Sequence, residues 1–180
     1  MGYQLTWMYI WNQKVRPTNI SVENYVPQMT ANTQDWFTAT CSTQINSSFQ
    51  PRHAFFVSTE WGTNHEFHSS NIWSWNRAWS EIELPEAITV NKVTIWARKN
   101  VDSYNVREIR AFNLLGSNDG NTWTNIHSES WLWSDWNVGT VLDWNITWQT
   151  DSYTYLKLEI QANRQYVSFD FWNISWTIAS

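Results

Sequence analysis

Between Leu114 and Trp123 the chain reads Leu-Leu-Gly-Ser-Asn-Asp-Gly-Asn-Thr-Trp. Two apolar residues close a β-prone run, Ser117-Asn118-Asp119-Gly120-Asn121 supplies a tight turn, and Thr122-Trp123 restarts extended chain. Asp-Gly between such flanks signals a hairpin, because glycine takes φ > 0 without a Cβ clash. The rest of the chain repeats the theme. Short β-prone runs are separated by Asn, Ser, Asp and Gly clusters, and no 3.6-residue apolar period is sustained. Trp79-Ser80-Glu81-Ile82-Glu83-Leu84 alternates, which places Trp79, Ile82 and Leu84 among the expected core residues. Antiparallel strands of this kind close as two packed sheets. The expected fold class is all-β, a β-sandwich.

At 180 residues the chain suits one domain, or one domain with an appendage. Its 11 Lys and Arg are dispersed and the net charge is −5, so no nucleic acid is expected as partner. No apolar run approaches the roughly 20 residues of a membrane span, so no membrane is expected either. The one cysteine, Cys41, is read as a buried, inert thiol. Met1 to Met8 shows no basic stretch leading into an apolar one, and the expectation is synthesis without a secretory signal.

The composition is unusual in one respect, with 16 Trp against 5 Gly. A β-rich domain needs glycine for its turns, and average usage is about 7%. Several tryptophans stand where glycine is expected. Asp135-Trp136-Asn137 and Asp143-Trp144-Asn145 have the frame of Asp119-Gly120-Asn121, and Trp11-Asn12, Asp35-Trp36, Trp73-Ser74-Trp75-Asn76, Trp172-Asn173 and Ser175-Trp176 also pair Trp with turn formers. Two readings are open. Either part of the excess is UGA codons that the source organism translates as glycine, or the surface is rich in tryptophan for stacking on ligands. Left-handed backbone at Trp136 or Trp144 would favour the first, and extended geometry there would count against it.

At the N-terminus, Tyr3, Leu5, Trp7, Tyr9 and Trp11 alternate with Gln4, Thr6, Met8 and Ile10, as in a strand, and Gln13 to Thr18 is expected to break it. The run Met8-Tyr9-Ile10, followed by Asn12-Gln13-Lys14-Val15-Arg16-Pro17, resembles the leader of several bacteriophage virion proteins. It is either a docking strand for a neighbour's sheet edge or an edge strand of its own domain. From Val26 a second resemblance is continuous. Val26-Pro27-Gln28-Met29-Thr30-Ala31-Asn32-Thr33, Asn46-Ser47-Ser48-Phe49, Phe67-His68-Ser69-Ser70-Asn71, Val90-Asn91-Lys92-Val93-Thr94-Ile95-Trp96-Ala97-Arg98, the Gly116–Trp123 turn and Tyr155-Leu156-Lys157-Leu158-Glu159-Ile160-Gln161-Ala162-Asn163 follow in order. Together they resemble the discoidin family, the coagulation-factor C-type or galactose-binding-like domains. The resemblance implies a discoidin-like jelly-roll sandwich over 26–180, preceded by a strand and linker over 1–25.

Catalysis finds little support. There is no Gly-x-Ser-x-Gly elbow, phosphate loop or His-Glu-x-x-His motif. Glu81, Glu83 and Glu86 read as a solvated face, and His65 and His68 have no evident further ligands. Many discoidin domains hold calcium, and the resemblance implies carboxylates after the Ala-Phe of one loop and in the last strand. Here Phe56 and Trp176 stand at those places, so no family-type calcium site, no other metal and no cofactor is expected. Sugar binding is the commonest use of the family. It needs an aromatic face for the apolar side of the ring and planar groups for the hydroxyls. The loops offer Phe49, Arg52, His53, Trp61, His65, Arg107, Arg164 and Tyr166, and the expected ligand-binding set is His68, Arg98, Asn100 and Tyr104.

Taken with the N-terminal leader, the resemblance implies a non-enzymatic virion subunit of fibre or decoration type. Its domain would bind cell-surface carbohydrate for adhesion, residues 1–25 would contact other virion proteins, and many copies or a homo-oligomer would supply avidity. It would sit on the virion surface. Two alternatives stay open, a purely structural capsid or tail subunit and an accessory carbohydrate-binding module of a larger glycosidase system.

Overall fold

The computed structural model describes residues 8–10, 13–15, 21–22, 25–44, 46–55, 67–69, 77–96, 109–130, 132, 141–162, 168–169 and 171–177. Thirteen strands and one short 3-10 helix run through them. In chain order they are β1 (Met8–Ile10), β2 (Gln13–Val15), β3 (Ser21–Val22), β4 (Thr33–Gln34), β5 (Phe37–Cys41), the 3-10 helix Pro51–Phe55, β6 (Phe67–His68) and β7 (Arg77–Trp96). There follow β8 (Ile109–Ser117), β9 (Thr124–Ser130), β10 (Val141–Asn145), β11 (Tyr153–Ala162), β12 (Ser168–Phe169) and β13 (Phe171–Thr177). The all-β jelly-roll expected from the sequence is the fold observed.

The architecture hangs on β7, which serves both sheets. Its first half pairs antiparallel with β5 on one side and β11 on the other, and β11 continues to β8 and β9. Its second half pairs with β13 and β10, and β13 carries the short β3 at its edge. The strand changes sheets around Pro85. There Glu83 faces Tyr155 while Ile88 already faces Tyr153, so the longer side of the ladder bends out. Proline donates no hydrogen bond and is tolerated at such an irregularity, where a strand turns a sandwich corner.

Side-chain parity along β7 follows from this path. Ala78, Ser80, Ile82, Leu84, Ile88 and Val90 point inward, and a second irregularity opposite Ser175/Trp176 shifts the inward set to Val93 and Ile95. Trp79 therefore lies on the outer face, not in the core as expected. Its separation from Ile82 is three, and a strand alternates every residue. The core between the sheets is filled by Ile82, Ile88, Ile95, Phe112, Leu114, Leu156, Leu158, Ile160, Trp172 and Ile174. Trp172 is completely buried; its ring meets Phe55 at 5.1 Å and its indole N–H donates to Ser80 Oγ at 3.1 Å. Truncating an aromatic so placed costs about 3–5 kcal/mol.

The Gly116–Trp123 turn is a hairpin between β8 and β9, as expected, and each of its residues has a separate task. Gly116 lies against the ring of Tyr153, where a Cβ would sit 2.4 Å from Cγ. Ser117 Oγ accepts from the Gly120 N–H at 3.0 Å. Asn118 reaches across to β11, donating to the Ser152 carbonyl and accepting from the Thr154 N–H, both at 3.0 Å. Asp119 Oδ1 accepts from the N–H groups of Asn121 (2.8 Å) and Thr122 (2.7 Å), and these bonds hold its carboxyl well below the usual carboxylate range. Gly120 takes φ 70°.

A second tight hairpin links β4 to β5. Gln34 pairs with Phe37, leaving Asp35 and Trp36 as a two-residue loop with φ of 51° and 70°. Trp144, by contrast, lies in the extended β10, opposite Val93, and packs edge-on against Phe112 at 4.8 Å. Its geometry counts against glycine at that position, and Trp136 lies outside the described residues. At the N-terminus β1 ends at Ile10, and Gln13–Val15, expected only as a break, is itself extended and pairs with Met8–Ile10 as a separate two-stranded sheet. Cys41 is partly buried in β5, and that burial pushes its thiol pKa up.

Candidate functional site

Of the expected ligand-binding set, His68 is described; Arg98, Asn100 and Tyr104 lie outside the described residues, as do Trp61, His65, Arg107, Arg164 and Tyr166. His68 ends the short β6, which pairs with β12 through His68–Ser168 and Phe67–Phe169. Its ring is 2% exposed. Nδ1 lies 2.9 Å from the Ser69 carbonyl, which can only accept, so that nitrogen carries the proton. The ring of Phe49 lies 5.2 Å away, tilted by 52°. The structure thus brings together Phe49, from a loop, and His68, from β6.

The neighbouring 3-10 helix supplies the floor. Its His53, Ala54 and Phe55 are buried, and Phe55 meets Trp172 in the core. Arg52, another expected contributor, is engaged within the fold: its guanidinium donates to the Thr30 carbonyl at 2.6 Å and its N–H to Asn32 Oδ1 at 3.2 Å. The Phe49 loop is shaped by Asn46, whose carbonyl accepts from the Phe49 N–H and whose Oδ1 accepts from the Ser48 N–H. The cluster thus sets a half-buried aromatic ring against a buried histidine.

Calcium does not fit the residues at its family position. Ala54 and Phe55 are buried in the apolar core, Ser175 near the other expected carboxylate is buried as well, and Phe56 and Trp176 bring no charge. Among the described residues no three His, Cys, Asp or Glu side chains gather as metal ligands. No helix of the described residues is long and apolar enough to cross a membrane.

Two further clusters are not evident in the sequence. On the outer face of the β5–β7–β11–β8–β9 sheet, Lys157 Nζ sits 3.6 Å from the Trp123 ring centroid, 4.6 Å from that of Trp79 and 3.0 Å from Glu81 Oε2. Beside it Tyr155 Oη donates to Glu83 Oε1 at 2.9 Å, which raises the phenol pKa, and Arg77 pairs with Glu159. Glu81 and Glu83, expected on a solvated face, are thus partnered across strands by Lys157 and Tyr155. At the sandwich flank, rings from β10, β8, β9 and the segment after β10 pack in the order Trp144, Phe112, His127, Trp148. His127 Nε2 lies 3.0 Å from Glu129 Oε1, and Trp148 is 60% exposed. Both clusters depend on cross-strand register, a long-range property with no local signal.

No family model and no curated protein matches the sequence. Solved structures do resemble the chain. An F5/8 type C domain from Bacteroides fragilis shares 10% identity, covers 90% of this chain and 99% of its own, and superposes with a TM-score of 0.63. The fold is that of the discoidin domains. A family 32 carbohydrate-binding module of NanJ from Clostridium perfringens, solved with galactose, shares 17% identity over 87% of this chain and 99% of its own, with a TM-score of 0.61. Another Clostridium perfringens module, solved with GalNAc-β-1,3-galactose, shares 18% identity over 77% of this chain and 94% of its own at a TM-score of 0.59. The discoidin-like jelly-roll of this chain is thus an architecture found in carbohydrate-binding modules.

Proposed function

We propose that this discoidin-fold chain is a non-catalytic carbohydrate-binding module. The observation that carries the reading is the fold itself, which spans nearly the whole length of modules solved with galactose and GalNAc-β-1,3-galactose. The pairing of Phe49 with His68 supports it. The ligand is a cell-surface glycan, bound by Arg98, Asn100 and Tyr104 together with His68. In this arrangement the buried His68 fixes the aromatic wall, and Arg98 and Asn100 supply the planar hydrogen-bonding groups that hydroxyls require. No metal or cofactor takes part.

The finer proposal is that the module is a virion subunit of fibre or decoration type, displayed on the particle surface. The resemblance of Met8–Pro17 to virion leaders supports it, as does the sheet that β1 and β2 form apart from the sandwich. Residues 1–25 dock to other virion proteins, and many copies turn weak single sites into useful avidity. The test is a glycan array probed with the chain and with Arg98→Ala. Saturable binding lost in Arg98→Ala is the expected result. Uniform silence would overturn the lectin reading in favour of a structural subunit, and binding unchanged in Arg98→Ala would refute the assigned site.

A further inference from the structure

The β4–β5 hairpin carries an outlier with one economical explanation. A two-residue hairpin loop whose central residues both have positive φ is of the I′ kind, which matches strand twist and favours Asn-Gly or Asp-Gly. Here the loop is Asp35-Trp36, at φ 51° and 70°. Asp is at home in the first position. At the second, an L-residue with a bulky side chain sits in a region where Cβ crowds the backbone. Strain of that sort persists where surrounding contacts hold it. Among the described residues nothing of the kind holds the Trp36 side chain, which is 86% exposed. The backbone at 36 matches Gly120, the other φ 70° position among the described residues, which also follows an Asp in a tight turn.

Other tryptophans are different in kind. Trp172 is buried and hydrogen-bonded, Trp79 and Trp123 flank Lys157, and Trp144 packs on Phe112 in a strand. Each makes contacts that only a large ring can make. We infer that residue 36 is glycine in the protein as its source organism makes it, encoded by UGA and decoded by a glycine-charged tRNA. The sequence as written renders that codon as tryptophan. Tryptophans 79, 123 and 172 are tryptophan in fact, encoded by UGG. The chain therefore requires a translation apparatus in which UGA is a glycine codon, and Trp36 is no ligand-stacking residue. This does not rest on the carbohydrate-binding reading.

Trypsin makes the test clean. Cleavage after Lys14 and Arg52, with the Arg16–Pro17 bond resistant, releases residues 15–52, in which Trp36 is the one tryptophan and no glycine occurs. Cleavage after Arg77 and Lys92 releases residues 78–92, in which Trp79 is the one tryptophan. Peptide mass spectrometry of the protein isolated from its native source should show glycine at 36 and tryptophan at 79. Tryptophan at 36 would overturn the inference. Glycine at both would overturn the sorting of tryptophans by backbone and contact. A recombinant Trp36→Gly variant checks the physical premise, with its melting midpoint expected to rise by about 2–4 °C. An unchanged or lower midpoint would show that the hairpin does not select glycine.

Discussion

Replacing Gly116 with alanine tests how the β8–β9 turn is locked to β11. An ideal Cβ there would lie 2.4, 2.5 and 2.8 Å from Cγ, Cδ2 and Cδ1 of Tyr153. Ordinary carbon contacts are about 3.5–4.0 Å, so the ring would have to retreat by more than about 1 Å. Neither side has room. Gly116 pairs with Leu156 on one flank and Thr124 on the other, and Tyr153 is 6% exposed in the core cluster. Overpacking typically costs about 1–3 kcal/mol, and a clash with the stem of a ring belongs in the upper half, about 2–3 kcal/mol. For a domain of this size that lowers the melting midpoint by about 4–12 °C. Urea unfolding of Gly116→Ala, Tyr153→Ala and the double variant gives the coupling. With the ring removed, the added methyl should cost far less. A Gly116→Ala penalty under about 0.5 kcal/mol, or one equally large in both backgrounds, would refute the steric account.

Two other perturbations follow from single contacts. Ser80→Ala leaves the buried indole N–H of Trp172 without its acceptor; the expected loss is about 1–3 kcal/mol by urea unfolding, and a neutral result would show that the bond contributes nothing net. Asp119 has its carboxyl held below the usual range by the Thr122 and Asn121 N–H groups and by Ser117 and Thr122 side chains. Its contribution is therefore present above the unfolded value of about 4 and is lost as pH falls through the lower folded value. Asp119→Asn should be less stable at neutral pH and should show a flatter fall in midpoint on acidification, and an unchanged acid limb would count against the assignment.

What could be read without coordinates was local. The Asp119-Gly120 turn is written in residues that touch one another along the chain, so its hairpin was visible, and the alternation of β7 announced a strand. The pivot at Pro85 was not visible, because it is defined by which strands lie beside Glu83 and Ile88, and those partners, Thr38 on one side and Tyr153 and Tyr155 on the other, are far away in the chain. Trp79 was misplaced for a related reason: hydrophobic character suggested core, while parity put it outside beside Lys157. Gln13–Val15 looks polar and interrupted, yet pairing with Met8–Ile10 satisfies its backbone. For the site, the chemistry of Phe49 and His68 is legible, but their contact depends on how a loop meets strand β6. Conversely, Asp35-Trp36 in the sequence was one of several Trp-bearing turn frames; only its φ values set it apart from Trp144.

The division of β7 between two sheets also has a consequence for how the chain emerges from the ribosome. Its second half ends at Trp96, but Phe171, the partner of that residue in β13, follows 75 residues later (171 − 96). At about 5–20 residues per second, that interval is roughly 4–15 s during which a β-prone strand waits without that neighbour. The first half waits for β11 in the same way. Such a strand is a template for wrong pairing, and the chain carries its own safeguards: Glu81, Glu83 and Glu86 in alternate or near-alternate places, and Pro85 between them. The carboxylates that later meet Lys157 and Tyr155 are residues of the kind that blunt such pairing along the first half of the strand.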